Sequence, residues 1–151
     1  MYQRILIPVD GSPTSTKALT AGLQLARESH ARVRMVHVVD ELAYLTGFDQ
    51  YGGYSAELIR AMRENGVRLL SEATAMAVAS GLEADNMLFD DFGVRVGEAV
   101  ADAAKRWNAD LVVVGTHGRR GIGRVLLGSG AEQIIRLAPV HVLVVRDTAV
   151  V

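Results

Sequence analysis

The chain has 151 residues, 50% of them hydrophobic and 22% charged. That length suits one domain, taken as residues 1–151, with enough apolar side chain for a sizeable core. Sixteen basic against seventeen acidic residues leave a net charge of −1, which argues against nucleic acid or an anionic membrane as partner and makes any anion site local. No cysteine is present, so disulfide and thiol chemistry are excluded, as fits a reducing compartment.

Ile5 to Val9 is the first apolar run. It is too short for a secretory signal, and no run approaches the ~18 apolar residues of a membrane span. The expectation is a soluble, cytoplasmic protein. Read as a strand, residues 4–10 (RILIPVD) are apolar on both faces, as a buried parallel strand requires. Ser12 is placed to cap a helix that starts at Pro13, whose missing N–H is not needed there. Ala18, Leu19, Gly22, Leu23, Leu25 and Ala26 give that helix an apolar stripe.

A second strand is expected over 32–40 (RVRMVHVVD). Residues 41–55, with three glycines and three tyrosines, read as a long loop. Residues 56–80 form a long helix that Gly81 stops. A third strand is expected at 86–90, a helix from Gly97 to Trp107, and the strongest strand at 110–115 (DLVVVG). A helix over 129–138 ends at Pro139, and 140–145 (VHVLVV) is the last strand. Strand and helix alternate, which predicts a three-layer α/β fold: an open parallel sheet with helices on both faces. In such sheets ligands bind beyond the carboxyl ends of the strands, where strand order reverses. Two of those ends stand out: Asp10-Gly11-Ser12 and Gly115 onward.

The stretch Val112–Gly130 (VVVGTHGRRGIGRVLLGSG) gathers six of the fifteen glycines, three arginines and no acid. Glycines let backbone N–H groups converge on an anion. A helix beginning near Gly128-Ser129 adds exposed amides and the positive end of its dipole. Arg119, Arg120 and Arg124 bring charge, and Ser129 a hydroxyl. The site is not a Walker A loop, because Arg124 and Val125 stand where lysine and Ser/Thr belong. It is not a Rossmann fingerprint either, because Leu126 replaces the third glycine.

Gly115-Thr116-His117-Gly118, nine residues, then Gly128-Ser129 spells G-x-x-G-x₉-G-S. This resembles the nucleotide-binding signature of the universal stress protein family. The resemblance extends over the chain through "ILIPVDGS", "MVHVVD", "ADLVVVGTHGRRGIGRVLLGS" and "PVHVLVVR". It implies five parallel strands in the order 3-2-1-4-5, as in adenine-nucleotide alpha hydrolases. It also implies ATP or AMP as ligand, with Mg or Mn carried in on the phosphates rather than caged by protein. The contacts it assigns are Pro8, Val9 and Asp10 at the first strand end and Val38 at the second. In the loop it assigns Gly115, Gly118, Arg119, Gly128, Ser129 and Gly130. Gly130 departs from the valine common in binding members and loosens the helix start. The resemblance further implies a homodimer through the last strand, at Val140, Val142, Leu143, Val144 and Val145; an apolar edge strand invites such pairing.

Plainer readings stand beside these. Asp10 can serve only as a turn residue. His117 has no acid partner in the motif, so it lines the pocket or faces water rather than catalysing. His37 and His141 read as structural, His30 as a helix-end residue, and Trp107 and the methionines as core filling. Asp90 and Asp91 are adjacent and point to opposite faces of a strand, so they do not chelate together; Asp40 and Glu41 share that constraint. Three functions follow: a nucleotide-dependent switch in a stress response, a slow ATPase or autophosphorylating enzyme, and a non-nucleotide interaction module whose loop is purely structural.

Overall fold

A computed structural model describes residues 1–39, 56–91, 93–117 and 127–146. Within them strands and helices alternate: β1 (Arg4–Pro8), α1 (Pro13–Ser29), β2 (Arg32–Val38), α2 (Ala56–Ala79), β3 (Ala84–Phe89), α3 (Val96–Trp107), β4 (Leu111–Gly115), α4 (Ser129–Leu137) and β5 (His141–Val145). All strand pairs are parallel, and the sheet order is β3-β2-β1-β4-β5. The 41–55 loop lies outside the described residues.

Alternation along the strands builds two cores. Ile5, Ile7, Met35, Leu111 and Val113 face α1 and α2, meeting Leu19, Leu23, Leu70 and Ala73. Leu6, Val36, Val112 and Val114 face α3 and α4, meeting Val100, Trp107 and Ile134. Apolar residues on both strand faces are what a sheet covered by helices on both sides demands. Met35 and Met62 are core residues, but Met76 is 43% exposed on α2, against the reading of the methionines as core filling. Among the described residues no helix is long and apolar enough to cross a membrane.

Local chemistry sets the element ends. Ser12 accepts the Ser15 amide at 3.2 Å and caps α1, with Pro13 as its first residue. His30 ends α1 in the left-handed region at φ 55°. Gly81, at φ 80°, ends α2, and its amide reaches the Val78 carbonyl at 2.9 Å. β3 begins at Ala84, ahead of the expected residue 86, and Asp85 in that extension forms a bidentate pair with Arg34 of β2 at 2.6 and 2.7 Å. Asp85 thereby raises the Arg34 pKa above its ordinary value, against the opposing effect of burial. Trp107 lies beneath two guanidinium groups, Arg34 at 4.9 Å and Arg4 at 5.8 Å from its ring centre.

Candidate functional site: the crevice between β1 and β4

Strand order reverses between β1 and β4, and the two strands part there. Their ladder holds the pairs Ile5–Leu111 and Leu6–Val112 and goes no further. On the outer sides pairing continues, to Pro8–Val36 with β2 and to Gly115–Val145 with β5. The carboxyl ends of β1 and β4 therefore diverge, and the turn after β1, the first turn of α1 and the start of the glycine-rich stretch meet at the opening.

On the β1 side, Val9 is buried and its amide reaches the Val36 carbonyl at 2.8 Å. The carbonyl of Val9 accepts from the Nδ1–H of His37 at 2.7 Å, so buried His37 is structural, as its place in an apolar strand implied. The Asp10 carboxylate accepts the Ser12 amide at 2.8 Å, and the Asp10 amide donates to the Ser15 hydroxyl at 3.1 Å. Gly11 between them takes φ 82°, which an L side chain resists. Asp10 thus makes the Asx-type turn of its plainer reading, and that turn holds a half-buried carboxylate at the crevice.

On the β4 side, Gly115 answers a packing need. A Cβ there would lie 2.7 Å from the Thr14 carbonyl carbon and oxygen, so only glycine lets β4 end against α1. The next two residues are tied down. The Thr116 amide donates to the Val145 carbonyl at 3.0 Å, and the Thr116 carbonyl accepts the Gly128 amide at 2.7 Å. The His117 carbonyl accepts the Thr14 hydroxyl, and the Ser12 hydroxyl at 3.4 Å. These bonds join the turn after β1 to both ends of the glycine-rich stretch.

α4 begins as expected, with Gly128 at its N-cap and no side-chain cap. Helix geometry leaves the amides of Ser129, Gly130 and Ala131 without intrahelical acceptors. The Gly128 amide is taken by Thr116, so Gly128 holds the turn while the next three amides have no acceptor within the helix. A Cβ on Gly130 would make only an ordinary 3.7 Å contact with Val96. Pro8 and Val38, half-buried, close the ends of β1 and β2.

The crevice therefore brings together Pro8, Val9, Asp10, Gly115, Gly128, Ser129 and Gly130, with Val38 one strand away. Gly118, Arg119, Arg120 and Arg124 lie outside the described residues, as do Asp40 and Glu41. Asp90 pairs with Arg63 of α2 at 2.9 Å. No group of three or more His, Asp or Glu able to hold a metal occurs among the described residues. His141 accepts or donates at 3.1 Å to the Tyr2 hydroxyl, a structural contact in keeping with its reading.

Thr14, which with Ser12 grips the His117 carbonyl, was not singled out by sequence as part of the site, and Ser12 entered only as a strand-end and capping residue. Their hydroxyl-rich run, Ser12 to Thr16, is the signal available, and it reads first as capping. His117 was read as a pocket-lining or solvent-facing residue. Its Nδ1 lies 2.9 Å from the Thr116 hydroxyl, while its Nε2 is buried without a hydrogen-bond partner.

Comparison with known proteins identifies the family. Residues 1–146 match the model of the universal stress protein family. A universal stress protein of Methanocaldococcus jannaschii is 37% identical over 147 residues, 97% of this chain and 83% of the relative. A solved structure from that family in Burkholderia pseudomallei is 35% identical, with a TM-score of 0.76 over 95% of this chain and 96% of its own. A universal stress protein solved in complex with cAMP is 26% identical, with a TM-score of 0.63 over 95% of this chain and 97% of its own.

Proposed function

The chain belongs to the universal stress protein family, and from that membership we propose that it binds an adenine nucleotide, ATP or AMP, in the crevice between β1 and β4. The observation that carries this reading is the parting of β1 from β4 beside the uncapped start of α4. Backbone N–H groups at a helix start suit phosphoryl oxygens, and the dipole adds to the attraction. In this reading Pro8, Val9, Asp10 and Val38 border the base and ribose. Gly115 and Gly128 shape the loop, and Ser129 and Gly130 meet the phosphates together with Gly118 and Arg119. The related protein solved with cAMP supports an adenine nucleotide as the ligand class. Mg or Mn would enter on the phosphates, since a protein cage of oxygen ligands is not needed for an ion so carried.

Binding acts as a switch. A nucleotide that holds α4 and the glycine-rich stretch in one arrangement shifts the population toward it, by as much as its affinity differs between states. The chain pairs with a second copy through β5, which forms one end of the sheet and leaves Leu143 40% exposed. The test is mass analysis of the small molecule that co-purifies with the native protein, followed by calorimetry with AMP and ATP. An adenine nucleotide at near-unit occupancy is expected. No bound molecule, and no heat at millimolar nucleotide, would refute the reading and leave an interaction module with a structural loop.

A further inference from the structure

His117 stands apart from the crevice's other polar groups because one of its ring nitrogens has nothing to bond. Its Nε2 is buried and without a partner, whereas its Nδ1 lies 2.9 Å from the Thr116 hydroxyl. A buried ring nitrogen left unpaired is costly, and one kept in a folded protein calls for a reason, such as a ligand or water that completes it. The residue is also held still. Ser12 and Thr14 donate to its carbonyl, and the neighbouring Thr116 is fixed through its amide to Val145 and its carbonyl to Gly128. The Thr116–Gly128 bond sets His117 beside the residue that ties the end of β4 to the start of α4.

Resting on the nucleotide reading, we propose that His117 is a phosphate-reading residue, whose Nε2–H donates to a phosphoryl oxygen of the bound nucleotide. In this role the Thr116 hydroxyl donates to Nδ1, the arrangement that leaves the ring proton on Nε2. The donor then adds to the α4 amides, and the ring discriminates a nucleotide from its nucleoside. No bond to the phosphate is made or broken. The role is selection, and it assigns work to the histidine of G-x-x-G that the glycines alone do not do.

Calorimetry with AMP and adenosine, on the full chain and on His117→Ala, separates the possibilities. The expected result is a loss of AMP affinity of about tenfold or more, the range of one hydrogen bond to a charged group, with adenosine affinity unchanged. Equal losses for both ligands would show that His117 only supports the fold, and no loss for AMP would show that the ring does not reach the phosphate; either overturns the inference. In the unsubstituted protein, ¹⁵N spectra of the imidazole should place the proton on Nε2 and move that resonance on addition of AMP. A proton on Nδ1, or an Nε2 signal indifferent to AMP, would equally overturn it. Nucleotide binding that survives in the unsubstituted chain while these signs are absent refutes the role of His117 alone. Absence of AMP binding in the unsubstituted chain refutes the underlying reading as well.

Discussion

Alanine at Gly115 and at Gly130 should act in opposite directions, although both glycines belong to the same signature. At Gly115 the added Cβ would sit 2.7 Å from the carbonyl carbon and oxygen of Thr14. Carbon atoms in contact prefer about 3.5–4.0 Å, so β4 or the first turn of α1 must retreat by about 1 Å. The neighbour is backbone, not the flexible end of a side chain, and cannot rotate away. Overpacking of this kind costs about 1–3 kcal/mol, which for a domain near this size lowers Tm by roughly 2–4 °C per kcal/mol. At Gly130 the same methyl meets only Val96 at 3.7 Å. Replacing a helical glycine there recovers up to ~1 kcal/mol of propensity. Urea unfolding of both variants, followed by the tryptophan at position 107, reads the difference directly. Gly115→Ala should shift the midpoint down and Gly130→Ala up, with the slope unchanged. An unaltered midpoint for Gly115→Ala would refute the claim that this glycine is required by the approach of α1, and would return it to a purely ligand-facing role.

Asp110 accepts the amides of Gln3 and Arg4 at 2.7 and 3.0 Å, so Asp110→Ala should cost about 1–3 kcal/mol by leaving strand-start donors unmet, measurable by urea unfolding. Trp107→Ala removes a core side chain and the ring beneath Arg4 and Arg34; a loss of about 3–5 kcal/mol is expected, read by calorimetric melting. Leu143→Asp places a charge on the outer strand and should shift sedimentation from dimer to monomer at micromolar concentration, with the circular dichroism spectrum unchanged. A dimer that persists would refute pairing through β5.

β1 and β4 were the most legible strands because both are apolar on both faces, as a doubly covered sheet requires. Val112 and Val113 point to opposite cores, and both are fully buried. The cap at Ser12-Pro13 and the stop at Gly81 follow from single-residue chemistry and came through unchanged. Strand order, by contrast, came from resemblance to a family, since nothing in one sequence says that β4 lies beside β1. β1 was expected to run to Asp10, but its ladder ends at Pro8, where the Asp10 turn takes over.

What sequence could not supply is contact between residues far apart in the chain. Thr14 bonds the His117 carbonyl, and Gly97 is pressed against Gln133, whose side chain accepts the Gly97 amide at 3.2 Å in place of a cap from Arg95. Neither contact leaves a periodic trace. Gly115 shows the cost of that blindness: its signature position suggested ligand alone, whereas the space beside it is already filled by α1. Gly128 is similar, since its amide is spent within the chain. The candidate phosphate donors move accordingly to Ser129, Gly130 and Ala131.

Backbone amide spectra recorded during an AMP titration test the central claim most directly. The account requires shifts concentrated at Asp10 to Ser12, at Thr116 and His117, and at Ser129 to Ala131, saturating together. Shifts confined to the outer faces of α1 and α2, or a spectrum indifferent to millimolar AMP, would contradict it.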